Sequence, residues 1–260
     1  MAELSTIQYA LIALVFVWSG FVRSGLGFGG AVLSLPFLLL IHNDALLFLP
    51  IIALQLIFFS SLILIHNHRA AVQQRKMGRE VEGSIDWAYL KKSLPVMIIP
   101  KLIGVFGLIA MPANIMGLII FSIVCVYALS YILDRPFKSK NRLMDGSFLV
   151  LGAYVSGTSL IGAPLLSAVF ASHVVKEKLR DTLFTLWFIL VWIKVAAFVY
   201  LDVDLHLLHQ LWLLPCAGLG HILGLKLHQR LQNAQSSSFY RFLGVVLLIT
   251  SAVGLMRIFL

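Results

Sequence analysis

Ser24-Gly25-Leu26-Gly27-Phe28-Gly29-Gly30 and Ser156-Gly157-Thr158-Ser159-Leu160-Ile161-Gly162-Ala163-Pro164 are the stretches whose reading decides the fold. Each lies inside an apolar run, 7–41 and 145–171, that is too long for one membrane crossing. About 20 apolar residues cross a hydrocarbon core as a helix. A glycine-rich break divides each run, so each reads as a hairpin of two short helices, re-entrant or tightly tilted. Six further apolar segments, 45–65, 93–110, 114–133, 181–201, 211–225 and 241–259, are near the length of a single crossing.

Composition agrees with lipid as the solvent. Of 260 residues, 60% are apolar and 12% charged, with a mean hydropathy of +0.96. Soluble domains carry about 25% charged residues, so this chain could not cover a water-facing surface. A cytosolic enzyme, a disordered chain and a disulfide-stapled secreted domain are excluded. The formal charge of +9 resembles a nucleic-acid signature. No basic run has the interleaved aromatics or fold signal that such binding needs, and no nucleic-acid partner is expected. Cys125 and Cys216 lie in apolar stretches and read as small hydrophobes. Met-Ala-Glu has no basic region before the first apolar run, so a cleaved signal peptide is not expected.

Loop charge orients the segments, because Lys and Arg collect in short cytoplasmic loops. Loops 67–92, 134–144, 172–180 and 226–241 together hold 16 of the 20 Lys and Arg and read as cytoplasmic. Met111-Pro112-Ala113 carries no charge, and 202–210 carries only Asp202 and Asp204, so both read as external. Loops 134–144 and 172–180 then flank the second hairpin on one side. The same count puts 42–44 outside and, by analogy, both termini outside. An amphipathic stretch around 68–92 is expected on the cytoplasmic surface, with its Arg and Lys against anionic lipid.

The halves 1–133 and 134–260 thus have opposite orientation, each a hairpin followed by three spans. Sequence echoes support a duplication. Ser24-Gly25 and Gly30-Ala31 match Ser156-Gly157 and Gly162-Ala163, and Pro95 and Gly104 match Pro215 and Gly224, at equal spacing. That register sets Lys101 opposite His221. The fold class expected is an all-α integral membrane protein of two inverted-topology repeats with eight apolar segments. It is the architecture of secondary transporters, whose substrates bind near the midplane. Broken helices expose backbone N–H groups and dipole ends that lipid tolerates only around a cavity.

Arg23, Lys101, Lys194 and His221 are the ionisable residues at membrane depth. Asp44, Asp134, Asp145 and Asp181 fall at segment ends. A charge inside a span is by default a functional hypothesis, and a basic-only interior argues for an anion. Arg23 and Lys194 also read as side chains snorkelling to an interface, and His221 as a packing residue. Thr158, Ser159 and Gln55 are polar enough to touch a ligand or to bond helix to helix. His66-Asn67-His68 and Asp204-x-His206-x-x-His209 read as incomplete ligand sets, so no metal and no cofactor is expected. Ser159 with His221 sketches an intramembrane serine hydrolase, but Leu160 follows Ser159 where that motif needs glycine.

At the two hairpins the chain resembles the sulfite exporter TauE/SafE family of membrane permeases. Gly25-Leu26-Gly27-Phe28-Gly29-Gly30, followed by Leu33 and Pro36, is close to that family's first pattern. The second break departs from it, with Leu160 and Ala163 where glycine is expected. The resemblance implies a multi-pass cell-membrane (inner-membrane) carrier, not an enzyme. It further implies export of sulfite, sulfoacetate or another organosulfur or oxyanion compound. The expected site places the anion between the hairpin tips. Backbone N–H groups near Gly27, Phe28, Gly29 and Gly30, and near Ser159 to Gly162, hold it. Lys101 and His221 balance its charge, Arg23 stands near the mouth, and Thr158, Ser159 and Gln55 are further contacts. An anion channel, a metal-cation exporter and the hydrolase are the alternatives, and a homodimer is left open.

Overall fold

The computed structural model describes residues 4–26, 30–77, 83–135, 137–231 and 237–259, and every regular element within them is a helix. In order these are α1 (Thr6–Leu26), α2 (Leu35–Ile41), α3 (Ala45–Lys76), α4 (Trp87–Ala110) and α5 (Ala113–Ile132). Then follow α6 (Arg142–Ser159), α7 (Ala163–His173), α8 (Lys176–Tyr200), α9 (Leu207–Leu231) and α10 (Ser237–Phe259). Among the described residues seven helices, α1, α3, α4, α5, α8, α9 and α10, are long and apolar enough to cross a membrane. Eight apolar segments become ten helices because each glycine-broken run yields two.

Several boundaries differ from the sequence reading. α1 is not a short half-helix: its 21 residues rise roughly 31 Å at about 1.5 Å per residue. It is paired with an α2 of only seven residues. The loop expected at 67–92 is shortened from both sides. α3 runs on to Lys76, because the Ala-, Gln-, Arg- and Lys-rich run beyond Asn67 favours helix even outside lipid. α4 starts at Trp87, where the Asp86 carboxylate caps it by accepting from the Tyr89 N–H at 3.0 Å. The first part of the stretch expected to lie on the membrane surface is therefore a continuation of a span. Residues 78–82 lie outside the described residues.

Each hairpin is closed at its open end. Gln8 Nε2 near the start of α1 donates to the Ile41 carbonyl at the end of α2, at 3.1 Å. His173 Nε2 at the end of α7 lies 2.8 Å from Asp145 Oδ2 in the first turn of α6. α1 packs along α9, α4 along α6 and α5 along α10, with α3 against α8. Small residues let these backbones approach, as membrane helices require where lipid gives no hydrophobic drive between them. A Cβ on Gly220 would be driven into the Val17 carbonyl of α1, and one on Gly104 into the Tyr154 carbonyl of α6. The outward faces carry exposed apolar side chains such as Leu208 and Leu211, which lipid solvates.

Two glycines of α9 separate packing from propensity. Gly218 has open space where a Cβ would go, whereas Gly220 has the α1 backbone. Gly220→Ala is expected to lose about 1–3 kcal/mol to overpacking. Gly218→Ala is expected to gain roughly 0.5–1 kcal/mol. Thermal unfolding of both variants in detergent checks the contrast, and equal shifts would refute it.

Candidate functional site

The second break begins at Leu160, which leaves α6 in the left-handed region at φ 61° and ψ 9°. A leucine held there costs about 1–2 kcal/mol that glycine would not. The Leu160 N–H still reaches the Ser156 carbonyl at 3.2 Å. Beyond it the chain leaves the helical path, so the carbonyls of Gly157 and Thr158 lose their intrahelical donors. α7 starts with Ala163 and Pro164, where the missing proline N–H removes a group that would be unpaired anyway.

Two lysines from other helices meet at this end, and one of them reaches the two freed carbonyls. Lys101 of α4 donates from Nζ to the Ser156 carbonyl at 2.9 Å and to Ser156 Oγ at 2.8 Å. Lys194 of α8 donates to the Gly157 carbonyl at 2.6 Å and the Thr158 carbonyl at 3.2 Å. Both are fully buried. The negative end of a helix dipole and two cations thus satisfy one another in a medium that could solvate neither. The close pass of Gly104 by the Gly157 Cα brings α4 near enough for Lys101 to reach.

The first break is built with different chemistry. Ser24 Oγ, in the last turn of α1, lies 2.5 Å from His221 Nδ1 of α9. The Phe59 ring of α3 packs against that imidazole at 4.9 Å and lies 4.3 Å beneath the Arg23 guanidinium. Arg23 is only 2% exposed, and its Nε and Nη2 have no hydrogen-bond partner.

The two breaks face one cavity of about 40 Å³. Arg23, Gly30 and Ala31 line it from the first break, Ser156 and Leu160 from the second, and Ser60 and Trp187 from α3 and α8. Among the described residues the buried acid is Asp181, which accepts from Asn67 Nδ2 at 2.8 Å near the start of α8. A larger groove of about 460 Å³ along α1 and α9 is lined by apolar side chains such as Leu14, Trp18 and Leu223. Its one donor side chain, Trp18, already donates from Nε1 to the Leu33 carbonyl at 3.2 Å.

The remaining candidates are distributed as follows. Gly27, Phe28 and Gly29 lie outside the described residues. Gly30 lines the cavity, but its carbonyl already accepts from Ser34 Oγ at 2.5 Å and Ser19 Oγ at 3.4 Å. Thr158 and Ser159 are buried and turn their hydroxyls back onto the Val155 carbonyl, at 3.0 and 2.9 Å. Ser159 and His221 therefore each have other partners, and the hydrolase pairing is not formed. Gly162 is pressed against the Gly152 carbonyl, so it serves hairpin packing. Gln55 is buried but outside the cavity lining; its amide donates to Gln210 Oε1 of α9 at 3.4 Å. Neither Arg23 nor Lys194 snorkels, because each is enclosed by protein.

The fold and the two breaks are those of a helical membrane bundle, and a family comparison covers nearly the whole chain. The model of the sulfite exporter TauE/SafE family matches residues 12–254. The chain belongs to this family. No curated protein and no solved structure matches it. As a TauE/SafE permease with seven long apolar helices among its described residues, the chain is a multi-pass membrane protein. Sequence reasoning missed the joint role of Lys194 with Lys101, and it missed Ser60 and Trp187 in the cavity wall. Lys194 carried a signal as an intramembrane charge. Ser60 and Trp187 carried none, since Ser and Trp are common in spans.

Leu160 sets two effects against each other. Leu160→Gly relieves the left-handed backbone, roughly 1–2 kcal/mol. It also removes a buried leucine, worth about 2–5 kcal/mol with the void it leaves. A net fall in melting temperature is expected by differential scanning fluorimetry. A rise would mean that backbone strain outweighs packing here.

Proposed function

We propose that this TauE/SafE permease exports a small anion of the sulfite, sulfoacetate or related oxyanion type, with no catalytic step. The anion sits in the cavity between the two breaks, and access alternates between the membrane faces. The observation that carries the reading is the charge of the interior. Arg23, Lys101 and Lys194 are buried around the breaks, and no carboxylate among the described residues faces them. A cation exporter needs carboxylates or a carbonyl cage in that place, and the α6 carbonyls are already engaged by lysines.

The finer architecture we propose is the inverted repeat, hairpin plus three spans in each half. Its support is the correspondence of contacts. Ser24 meets His221 as Ser156 meets Lys101. A Cβ on Gly224 would crowd Gly25 as one on Gly104 would crowd Gly157. The α1–α9 and α4–α6 pairs are therefore equivalent units, each joining a hairpin helix of one half to a span of the other. Each is locked by glycine contacts, so each moves as one body, and rocking of one against the other opens the cavity to alternate sides. The basic loops lie on the cytoplasmic side, and the family's description as a sulfite exporter supports outward transport.

Counterflow tests this reading. Proteoliposomes preloaded with unlabelled sulfite should take up labelled sulfite several-fold faster than unloaded ones. Equal uptake with and without internal sulfite would indicate a channel. No uptake of sulfite, sulfoacetate or thiosulfate would refute the substrate class.

A further inference from the structure

The buried cations do different work, and the difference identifies the group that binds the anion. An ammonium has three N–H donors, all on one atom. Lys101 and Lys194 each direct two of these contacts at the end of α6. Neither lysine lines the cavity. Their geometry is that of cationic side chains capping the last carbonyls of a helix. Removing Lys194 leaves the Gly157 and Thr158 carbonyls without that donor, and removing Lys101 takes a second donor from the Ser156 carbonyl and the donor that meets Ser156 Oγ.

Arg23 is the opposite case. It lines the cavity, is 2% exposed, and stacks on Phe59 at 4.3 Å. The ring lies against the guanidinium carbon and takes up no N–H donor of the Nε and Nη2 pair. The unpartnered atoms are Nε and Nη2, the adjacent pair on one edge. That edge is the planar fork that meets two oxygens of one carboxylate, sulfite or phosphate. A buried fork without an acceptor is costly to maintain, and no carboxylate of the described residues supplies one. Ser60 and Ser156 line the same small cavity, so a third oxygen would face a hydroxyl.

We infer that Arg23 is the residue that binds the anion, through Nε and Nη2, and that Lys101 and Lys194 are positioning residues that cap α6 without touching it. The assignment rests on the transport reading above and narrows it. The ligand must present at least two oxygens to one guanidinium edge, which selects oxyanions over halides.

The test uses the full chain in detergent with sulfite as the probe, reading melting temperature without sulfite and its rise on titration. Binding to the native state raises the melting temperature. Arg23→Gln and Arg23→Lys should remain monodisperse, keep or raise the sulfite-free melting temperature, and weaken apparent sulfite affinity by roughly tenfold or more. Loss in the lysine variant matters because it keeps the charge and removes only the fork. Lys101→Met and Lys194→Met should lower the sulfite-free melting temperature and keep apparent affinity within about threefold. A lysine variant that fails to fold also supports the capping role, and the arginine arm then decides the ligand. Wild-type affinity in Arg23→Gln overturns the assignment. So does a lysine variant that loses affinity as severely with its sulfite-free melting temperature unchanged. If sulfite and the other oxyanions leave the wild type unshifted, the transport reading fails and this assignment with it.

Discussion

A helix that stops inside a membrane leaves carbonyl groups that nothing in the lipid can satisfy, and much of this structure follows from how that problem is met at α6. Lys194 from α8 supplies the missing donors at Gly157 and Thr158, and Lys101 from α4 adds a second donor at Ser156, one residue before them. Each can do so only if its helix approaches closely. Gly104 and Gly157 are therefore needed at the α4–α6 contact, where any larger side chain would hold Lys101 away. Lys194 equally ties α8 to the break. The wall of the cavity that α6 and α8 share, with Ser156, Leu160 and Trp187, is a consequence of these two anchor points.

The same device sets the sign of the interior. Each lysine brings its N–H donors to a helix end that carries roughly half a negative charge. Two lysines on one end make the surroundings of the cavity basic. The first break adds Arg23 and no compensating carboxylate among the described residues. At low dielectric, charges this close are strongly coupled, so an anion entering the cavity is held by the whole set. The direct contact falls to the one cation whose donors remain open.

The spans and the breaks were legible in the sequence because both are local signals. Apolar runs of fixed length report crossings, and clustered glycines report where a helix cannot continue. Lys101 was legible as a costly intramembrane charge. Its role was not, because the acceptor it serves lies 55 residues further along the chain. Lys194 was read both as an intramembrane charge and as a snorkelling side chain, because its span alone does not reveal that α6 ends beside it. Thr158 and Ser159 looked like ligands because composition cannot distinguish a hydroxyl that faces a cavity from one bonded to the preceding turn. Gln55 was open to both readings, and its hydrogen-bond partner Gln210 is on a helix far away in sequence. Leu160 was visible as a departure from glycine. The cost of that departure became readable only with its left-handed backbone.

The duplication we propose gives both breaks one geometry, and the residues placed on it differ in a way that assigns their work. At the second break the span residue facing the hairpin serine is a lysine, a pure donor, and it reaches the backbone carbonyl as well as the hydroxyl. At the first break it is His221, whose ring offers one donor and one acceptor when neutral. Its contact here is with the Ser24 hydroxyl. A cation at the second break is thereby committed to the protein's own backbone. At the first break the cation is Arg23, carried by the hairpin helix itself and left free by the imidazole beside it. An ancestral symmetric pair of breaks would bind an anion equally from both sides. On the assignment we propose, the committed lysines make the second hairpin the fixed wall and the open guanidinium makes the first the binding element.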